Sequence, residues 1–286
     1  MIIKGIGGFY YVKTADAVLE AKAKGIFRKV GMAPLAGDYV ELEQSNGDYV
    51  ISAIYARKNN FLRPAAANID LFFLVVSTVA PIPNMLVIDK LLAVAAAKSV
   101  KPVILLTKTD ILPGEAFAAT YRSAGFIVID VRADFETAKL EIMDMLDSRL
   151  SVFTGNSGVG KTTLLNDLFG YSLETAQTSR KLGRGRHTTR AVEFYEACGG
   201  YVADSPGFSA VDIERAEYIP KDELQHLFID VSQYVSECRF RGCSHLTEKG
   251  CAVIEAVEKG EIQKSRYESY VELYKNALKI SDWEQR

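Results

Sequence analysis

Eight consecutive residues, Gly155-Asn156-Ser157-Gly158-Val159-Gly160-Lys161-Thr162, limit the folds open to this chain more than any other stretch. A glycine, four residues, then Gly-Lys-Thr is the spacing of a phosphate-binding loop. Small residues let backbone N–H groups turn inward on a polyphosphate, the lysine reaches the outer phosphates, and the threonine hydroxyl binds Mg²⁺. The flanks agree with this. Leu150 to Thr154 is a short β-branched and aromatic run, and Lys161 to Phe169 has helical apolar spacing, so a helix N-terminus is aimed at the anion.

The surrounding sequence supplies the sheet that such a strand-loop-helix needs. From Asn68 onward, short apolar runs alternate with helical patterns, which implies a parallel sheet covered on both faces. Ile69 to Ser77 is nearly continuous apolar, as a central strand should be. Met85 to Lys98 follows with helical spacing at Leu86, Leu91, Leu92 and Ala95. A strand at Val103 to Leu106, a helix at Glu115 to Ala124, a strand at Phe126 to Val131 and a helix at Phe135 to Leu146 lead up to the loop.

Residues 1 to about 63 alternate apolar and polar side chains in five short pieces: Gly8 to Val12, Val18 to Ala23, Ile26 to Val30, Asp38 to Glu43 and Tyr49 to Tyr55. Asn46-Gly47 is a hairpin signal, and Pro34 with Gly37 marks another connection. Five short strands predict a small closed β-barrel, with the OB fold as the leading candidate. Barrels of this type bind single-stranded nucleic acid through a basic, aromatic face. Lys22, Lys24, Arg28 and Lys29 with Phe9, Tyr10 and Tyr11 could supply one, although the same residues would serve equally as a solvated surface over an aromatic core.

Composition narrows the classes further. With 286 residues and 48% hydrophobic content, the chain can form two or three domains with proper cores. A formal net charge of -2 excludes a positive coat over the whole surface, so nucleic-acid contact must come from local patches. The longest apolar run, Leu71 to Pro83, is short for a membrane span and contains Ser77, Thr78 and two prolines. The N-terminal residues lack a signal-peptide pattern, and the expectation is a cytoplasmic protein without membrane association. Of four cysteines, Cys198 stands alone while Cys238, Cys243 and Cys251 crowd together, which suits a metal better than a secreted disulfide framework.

The strand Val103 to Leu106 runs into Thr107-Lys108-Thr109-Asp110. Guanine-nucleotide-binding P-loop proteins carry Asn-Lys-x-Asp at such a place. The Asp carboxylate accepts from the N1–H and exocyclic amino group of guanine, a donor pair that adenine lacks, while the lysine stem packs over the base. Asp110 is therefore the expected guanine reader. Thr107 replaces the carboxamide, which predicts weaker but still guanine-selective binding. In Val131-Arg132-Ala133, Ala133 stands where a backbone N–H usually meets the guanine carbonyl, and Arg132 stands where a serine is usual.

Downstream, Arg180 to Arg190 is basic and contains Gly183 and Gly185, as a first switch segment would. Thr188 or Thr189 could complete a Mg²⁺ shell there and release it after hydrolysis; a solvated basic loop is the plain alternative. After an expected strand at Tyr201 to Ala203 comes Asp204-Ser205-Pro206-Gly207, in which Asp204 would hold Mg²⁺ through water and the Gly207 N–H would meet the γ-phosphate. Phe208 follows, where a Ras-like protein has the glutamine that orients the attacking water. A phenyl ring cannot do that, so slow intrinsic hydrolysis is expected. His187 is the in-chain candidate for the missing polar group, and Lys161 is counted with it as catalytic.

The last motif, Cys238-x₄-Cys243-x-His245-x₅-Cys251, is a Cys₃His set suited to one structural Zn²⁺, with no position left open for catalysis. His226 lies in a helical apolar pattern and reads as helix surface or packing. Tyr267, Tyr270, Leu273, Tyr274 and Leu278 have helical spacing and are expected to pack against this small region.

The order of the motifs is unusual. Base reader, phosphate loop, threonine switch and Asp-x-x-Gly form a cyclic shift of the order in ordinary P-loop GTPases. A permuted GTPase core after a barrel and before this cysteine tail closely resembles the RsgA (YjeQ) family of small-ribosomal-subunit-dependent GTPases. The resemblance spans essentially the whole chain. It is carried by Thr107-Lys108-Thr109-Asp110, Gly155 to Thr163, Gly185-Arg186-His187-Thr188-Thr189, Asp204 to Phe208, and Cys238, Cys243, His245 and Cys251.

What the resemblance implies is GTP hydrolysis stimulated by the small ribosomal subunit, late maturation of that subunit, and terminal domains that grip ribosomal RNA. GTP or GDP, Mg²⁺ and one structural Zn²⁺ are the expected cofactors. The expected division is an OB-fold domain over 1–65, a permuted α/β GTPase domain over 66–215 and a helical zinc domain over 216–286, in a monomer. Two rival functions stay open on the residues: a P-loop ATPase or kinase, and a nucleotide-gated RNA clamp with little hydrolysis.

Overall fold

The computed structural model describes residues 1–29, 31–45, 47–171, 192–205 and 218–279. The chain forms two compact units, residues 1–75 with 134–208, and residues 76–133 with 209–286.

The first unit begins with strands β1 (Ile2–Ile6), β2 (Phe9–Lys13) and β3 (Val18–Ala23) in an antiparallel meander. A hairpin of β4 (Val40–Ser45) and β5 (Asp48–Ile54) follows at the predicted turn, with Ser45 opposite Asp48, and β5 joins β3 in parallel. The segment just before β4 closes the structure onto β1: Ile2 N–H donates to Asp38 O at 2.8 Å and Gly37 N–H donates to Ile2 O at 2.8 Å. Ile2, Val12, Ala21, Phe27 and Ile51 fill the barrel core. Asp38 is fully buried beside them, held by Arg57 through Nε and Nη2 at 2.7 Å each. Paired charge-assisted bonds of this kind compensate a carboxylate taken out of water.

The barrel has five strands as expected, but not the expected five. Ile26–Lys29 is a helical turn, α1, rather than a strand, because Phe27 turns its ring into the barrel core. The strand that replaces it is β1, whose register slips between Ile2 and Lys4, so its alternation is broken. Lys22 and Lys24 are paired with Asp48 at 2.9 Å and Glu43 at 2.6 Å. The positive face expected from the lysines is thus partly neutralised by acids on the neighbouring hairpin.

The same unit continues through the short antiparallel pair β6 (Asn60–Phe61) and β7 (Ala66–Ala67) into a parallel arrangement. Strands β8 (Leu71–Ser77), β11 (Leu150–Thr154) and β13 (Gly200–Asp204) lie side by side in parallel, and antiparallel β12 (Glu193–Ala197) joins β13 to β1. Every residue of β8 and β11 is buried, which explains the nearly continuous apolar run of β8 and the largely apolar character of β11. Phe73 and Phe153 stack across them at 4.6 Å. Helix α4 (Phe135–Leu146) starts at Asp134, whose side chain accepts from Thr137 N–H, and buries Ala138, Ile142 and Leu146 at helical spacing.

The second unit carries the parallel pair β9 (Lys101–Thr107) and β10 (Ile127–Asp130), with helices α2 (Met85–Ala97) and α3 (Glu115–Ser123). Asn84 caps α2 by accepting from Val87 N–H. Its C-terminal part holds α6 (Lys221–Leu227), α7 (Ile229–Ser232), α8 (Ala252–Glu258) and the long α9 (Lys264–Leu278). Helix α9 packs against α2 and α6. No helix among the described residues is long and apolar enough to cross a membrane.

Candidate functional site

The phosphate loop leaves β11 in the first unit and enters α5 (Lys161–Phe169) through Gly160, which adopts φ +95° as the residue ahead of the helix. A side chain there would be strained, so glycine is required. Gly155 is required for another reason: a Cβ would fall 2.4 Å from the Val75 carbonyl oxygen. Gly155→Ala should therefore displace the loop and reduce turnover by about 10²-fold. Steady-state hydrolysis beside an unchanged circular dichroism spectrum would measure it; near-normal turnover would contradict the geometry.

Lys161 and Thr162, the first residues of α5, converge on Asp204 at the end of β13. Lys161 Nζ is 3.1 Å from Asp204 Oδ1, an ion pair, and Thr162 Oγ1 donates to Asp204 Oδ2 at 3.1 Å. Lys161 is only 8% exposed, so the carboxylate supplies its counter-charge. Beside this trio, Ser205 Oγ and Thr154 Oγ1 are buried without a hydrogen-bond partner among the described residues. Such orphaned oxygens at a phosphate loop fit a site built to take polar atoms from a ligand. A hydroxyl and a carboxylate this close form a hard oxygen donor set suited to Mg²⁺. The pairing follows from topology, because β11 and β13 are adjacent and parallel with Phe153 opposite Asp204.

Asn156, Ser157, Gly158, Val159 and Thr163 complete the loop and the first helical turn. Val159 is buried, whereas Ser157, Gly158 and Thr163 are exposed. Gly207, Phe208, His187, Thr188 and Thr189 lie outside the described residues.

In the second unit the loop expected to read the base, Lys108 to Asp110, leaves β9. Asp110 is exposed at its tip, and Lys108 holds φ +60° with its ammonium donating to Ala80 O. Thr107 is buried, and its hydroxyl donates to Val76 O at 3.3 Å. The residue that departs from the usual asparagine thus anchors the root of the loop. Thr109 Oγ1 donates to Asp130 Oδ1 at 2.6 Å, and the same oxygen accepts from the N–H groups of Arg132 and Ala133 at 3.0 and 3.1 Å. Asp130 gathers both base-side segments. Sequence reasoning passed over it, although a carboxylate at the end of β10, ahead of the Arg132-Ala133 turn, was a visible signal. The Ala133 N–H is engaged here with Asp130.

The cysteine motif closes into a cluster in the same unit. Cys238 Sγ lies 3.5 Å from His245 Nδ1 and 3.9 Å from Cys251 Sγ, and His245 Nδ1 lies 3.3 Å from Cys251 Sγ. With Cys243, all four donor atoms lie within 4.8 Å of one another. Zinc bonds of about 2.3 Å to sulfur and about 2.0 Å to nitrogen place tetrahedral donors about 3.5 Å apart or slightly more, so the set fits Zn²⁺.

Supporting contacts fix the ligands. His245 Nε2 lies 2.9 Å from Gln225 Oε1, which orients the ring with Nδ1 toward the thiols. Gln225 was invisible to motif reasoning, since no spacing links it to the cluster. Burial would raise the Glu248 carboxyl, but hydrogen bonds from the Ser244 hydroxyl and from the Thr247 and Ser244 N–H groups hold it at about 2. Burial pushes the Cys251 thiol up to about 12, so binding a metal there must release protons. Tyr267 donates to His245 O at 2.8 Å and Tyr270 to Ser244 O at 3.1 Å, so the tyrosines of α9 pack on this region as their spacing predicts. His226 is exposed on α6.

A phosphate-loop motif after one parallel strand, an aspartate at the end of the adjacent parallel strand and the Thr107-Lys108-Thr109-Asp110 segment earlier in the chain form the arrangement of a circularly permuted P-loop GTPase. The family model described as RsgA GTPase matches residues 54–214, and that of the RsgA N-terminal domain matches residues 1–50. The chain is 40% identical to the small ribosomal subunit biogenesis GTPase RsgA of Ruminiclostridium cellulolyticum, over 98% of this chain and 93% of that relative. It is 38% identical to the protein of the same name from Bacillus subtilis, over 95% and 94%. Among solved structures, it resembles YloQ, described as a circularly permuted GTPase, with a TM-score of 0.73 and 34% identity over 97% of this chain and 94% of that one. YjeQ from Thermotoga maritima gives a TM-score of 0.76 at 28% identity, over 98% of each chain. The chain belongs to the RsgA GTPase family.

Proposed function

We propose that this GTPase acts in maturation of the small ribosomal subunit, binding that subunit and hydrolysing GTP in response to it. The convergence of Lys161 and Thr162 on Asp204 carries the GTPase part of the reading, because it brings together a cation, a hydroxyl and a carboxylate suited to a triphosphate and its metal. Lys161 neutralises the outer phosphates, Thr162 and Asp204 hold Mg²⁺, and the N–H groups from Gly155 to Thr163 cradle the anion. Bound Mg²⁺ supplies charge neutralisation at the phosphates. Thr107, Lys108, Thr109, Asp110 and Ala133 take the guanine base, with Asp110 reading it. Gly207 approaches the γ-phosphate, Thr188 or Thr189 completes the metal shell, and His187 orients water in place of the glutamine lost at Phe208. Zn²⁺ occupies the Cys₃His cluster as a structural ion, and the protein is a cytoplasmic monomer. Functional boundaries near residues 65 and 215 separate the barrel, the GTPase core and the metal-bearing region.

Ribosomal RNA is the proposed contact of the terminal regions. In the metal-bearing loop, Arg239, Phe240 and Arg241 are exposed, and the Arg239 guanidinium lies 5.4 Å over the Phe240 ring. An exposed aromatic flanked by cations suits stacking on an unpaired base with phosphate contacts. In the barrel, Lys22 and Lys24 are engaged with acids, which leaves a smaller electrostatic pull there. Phosphate release from GTP and ATP, with and without purified small subunits across a salt series, tests the assignment. GTP-selective, subunit-stimulated turnover that fades with salt is expected, and Arg239→Ala with Arg241→Ala should flatten the salt slope. Preference for ATP would point to a kinase or ATPase, and absence of turnover to a clamp.

A further inference from the structure

The largest fully buried side chain in the second unit is that of Arg266, 1% exposed on α9, which no motif singled out. Its Nη1 donates to Asp89 Oδ1 of α2 at 2.6 Å, and its Nε and Nη2 donate to the two oxygens of Asp230 in α7 at 3.1 and 2.7 Å. The rings of Phe228, Phe126 and Tyr121 surround the guanidinium at 4.7, 5.2 and 5.7 Å. Tyr121 of α3 also donates to Asp89 Oδ1, at 2.9 Å. A buried ion triad is seldom the most stable way to fill a core, and its best-attested use is to specify one arrangement of the elements it joins.

Two functional features hang from those elements. On one side, Tyr267 beside it and Tyr270 one turn further along α9 donate their hydroxyls to the backbone carbonyls of His245 and Ser244 in the metal-binding loop. Tyr270 also packs against Phe228 at 5.6 Å. On the other side, Phe126 leads into β10, whose terminal Asp130 holds Thr109 and the Ala133 N–H. Tyr121 belongs to α3, the helix that follows the Lys108–Asp110 loop, and α2 follows the segment in which Ala80 accepts from Lys108. Hydrogen bonds and packed rings therefore run from the metal cluster to Arg266 and its ring neighbours Tyr121 and Phe126, and the chain of α3 and β10 carries on from those rings to the Lys108–Asp110 loop and Asp130, all within one compact unit.

We propose that Arg266 is a positioning residue for base recognition, coupling the metal-organised C-terminal region to the Lys108–Asp110 loop so that loading the cluster raises affinity for the guanine base. The proposal rests on the reading of Asp110 as the guanine reader. Coupling between sites in proteins spans about 5–150-fold in affinity, and packed, hydrogen-bonded networks are its physical carriers.

The test uses the whole zinc-loaded chain and two probes, GDP, which engages both base and phosphate groups, and inorganic pyrophosphate, which engages the phosphate loop alone. In Arg266→Met the dissociation constant for GDP should rise about tenfold, a typical coupling, while that for pyrophosphate stays within about twofold. Tyr121→Phe, which removes one hydroxyl and keeps the ring, should show the same selective loss at smaller size; it decides the question if Arg266→Met does not fold. Stripping zinc from the wild type should weaken GDP selectively, and stripping Arg266→Met should add little. Parallel loss of both probes would mean general destabilisation and overturn the proposal, as would unchanged GDP affinity in both variants. Loss of the underlying reading is separately visible: the wild type would then fail to prefer GDP over ADP, and Asp110→Asn would leave GDP affinity unchanged.

Discussion

Cys251→Ser is expected to abolish zinc binding and unfold the region around residues 238–262. The thiol is 2% exposed and lies 3.9 Å from Cys238 Sγ and 3.3 Å from His245 Nδ1, so its loss removes one corner of a closed donor set. Cys251 is also the residue that leads into α8. Structural zinc contributes about 10–16 kcal/mol of apparent binding free energy in small zinc folds, and that energy is folding energy. Metal analysis of the purified wild type should return about one zinc per chain, as a single closed site requires, and the variant none. A chelator should reproduce the loss of protected amides in this region by hydrogen exchange. Cys198→Ser, which alters a thiol outside the cluster, should keep its zinc. A variant that retained stoichiometric zinc and wild-type protection would remove Cys251 from the ligand set.

Lys161→Ala should cost the most in chemistry, about 10²–10³-fold in turnover, the usual scale for deleting one preorganised charge at a reacting centre. The structure makes the penalty twofold in origin. A cation for the outer phosphates disappears, and Asp204, whose Oδ1 lies 3.1 Å from the ammonium, loses its counter-charge and faces the phosphates as a bare carboxylate. The companion change Asp204→Asn separates these contributions. It relieves the repulsion but weakens the metal site, so GTP binding should survive while its dependence on Mg²⁺ concentration shifts upward. Titration of GTP binding at several Mg²⁺ concentrations reads both, and equal loss of binding in the two variants would contradict the roles assigned here.

The motifs were legible because each demands particular residue types at short spacing. Gly155 and Gly160 are forced by close approach and by a left-handed backbone, and the Cys₃His set by coordination chemistry. The alternation of buried strands with helices was likewise readable, since β8 and β11 are covered on both faces. Less was legible in the barrel. Ile26–Lys29 has the apolar texture of a strand and forms a helical turn because tertiary burial of Phe27 outweighs local preference. In β1, only Ile2 is fully withdrawn from water and the bulge after it breaks the period.

The spacing of residues along the chain was enough to pick out the phosphate-loop motif, the candidate base reader, the cysteine–histidine set and their permuted order, because those constraints act over a few neighbouring positions. Only the folded chain decided how charge is distributed among them. Asp204 meets Thr162 across 42 residues, Lys22 and Lys24 are matched by acids of another hairpin, and Arg266 reaches Asp89 across 177. Pairing energies depend on which group lies within a few ångströms and how far both are removed from water. Neither quantity has a period in sequence, so the lysines that looked free were neutralised and an unremarked arginine became the centre of a core.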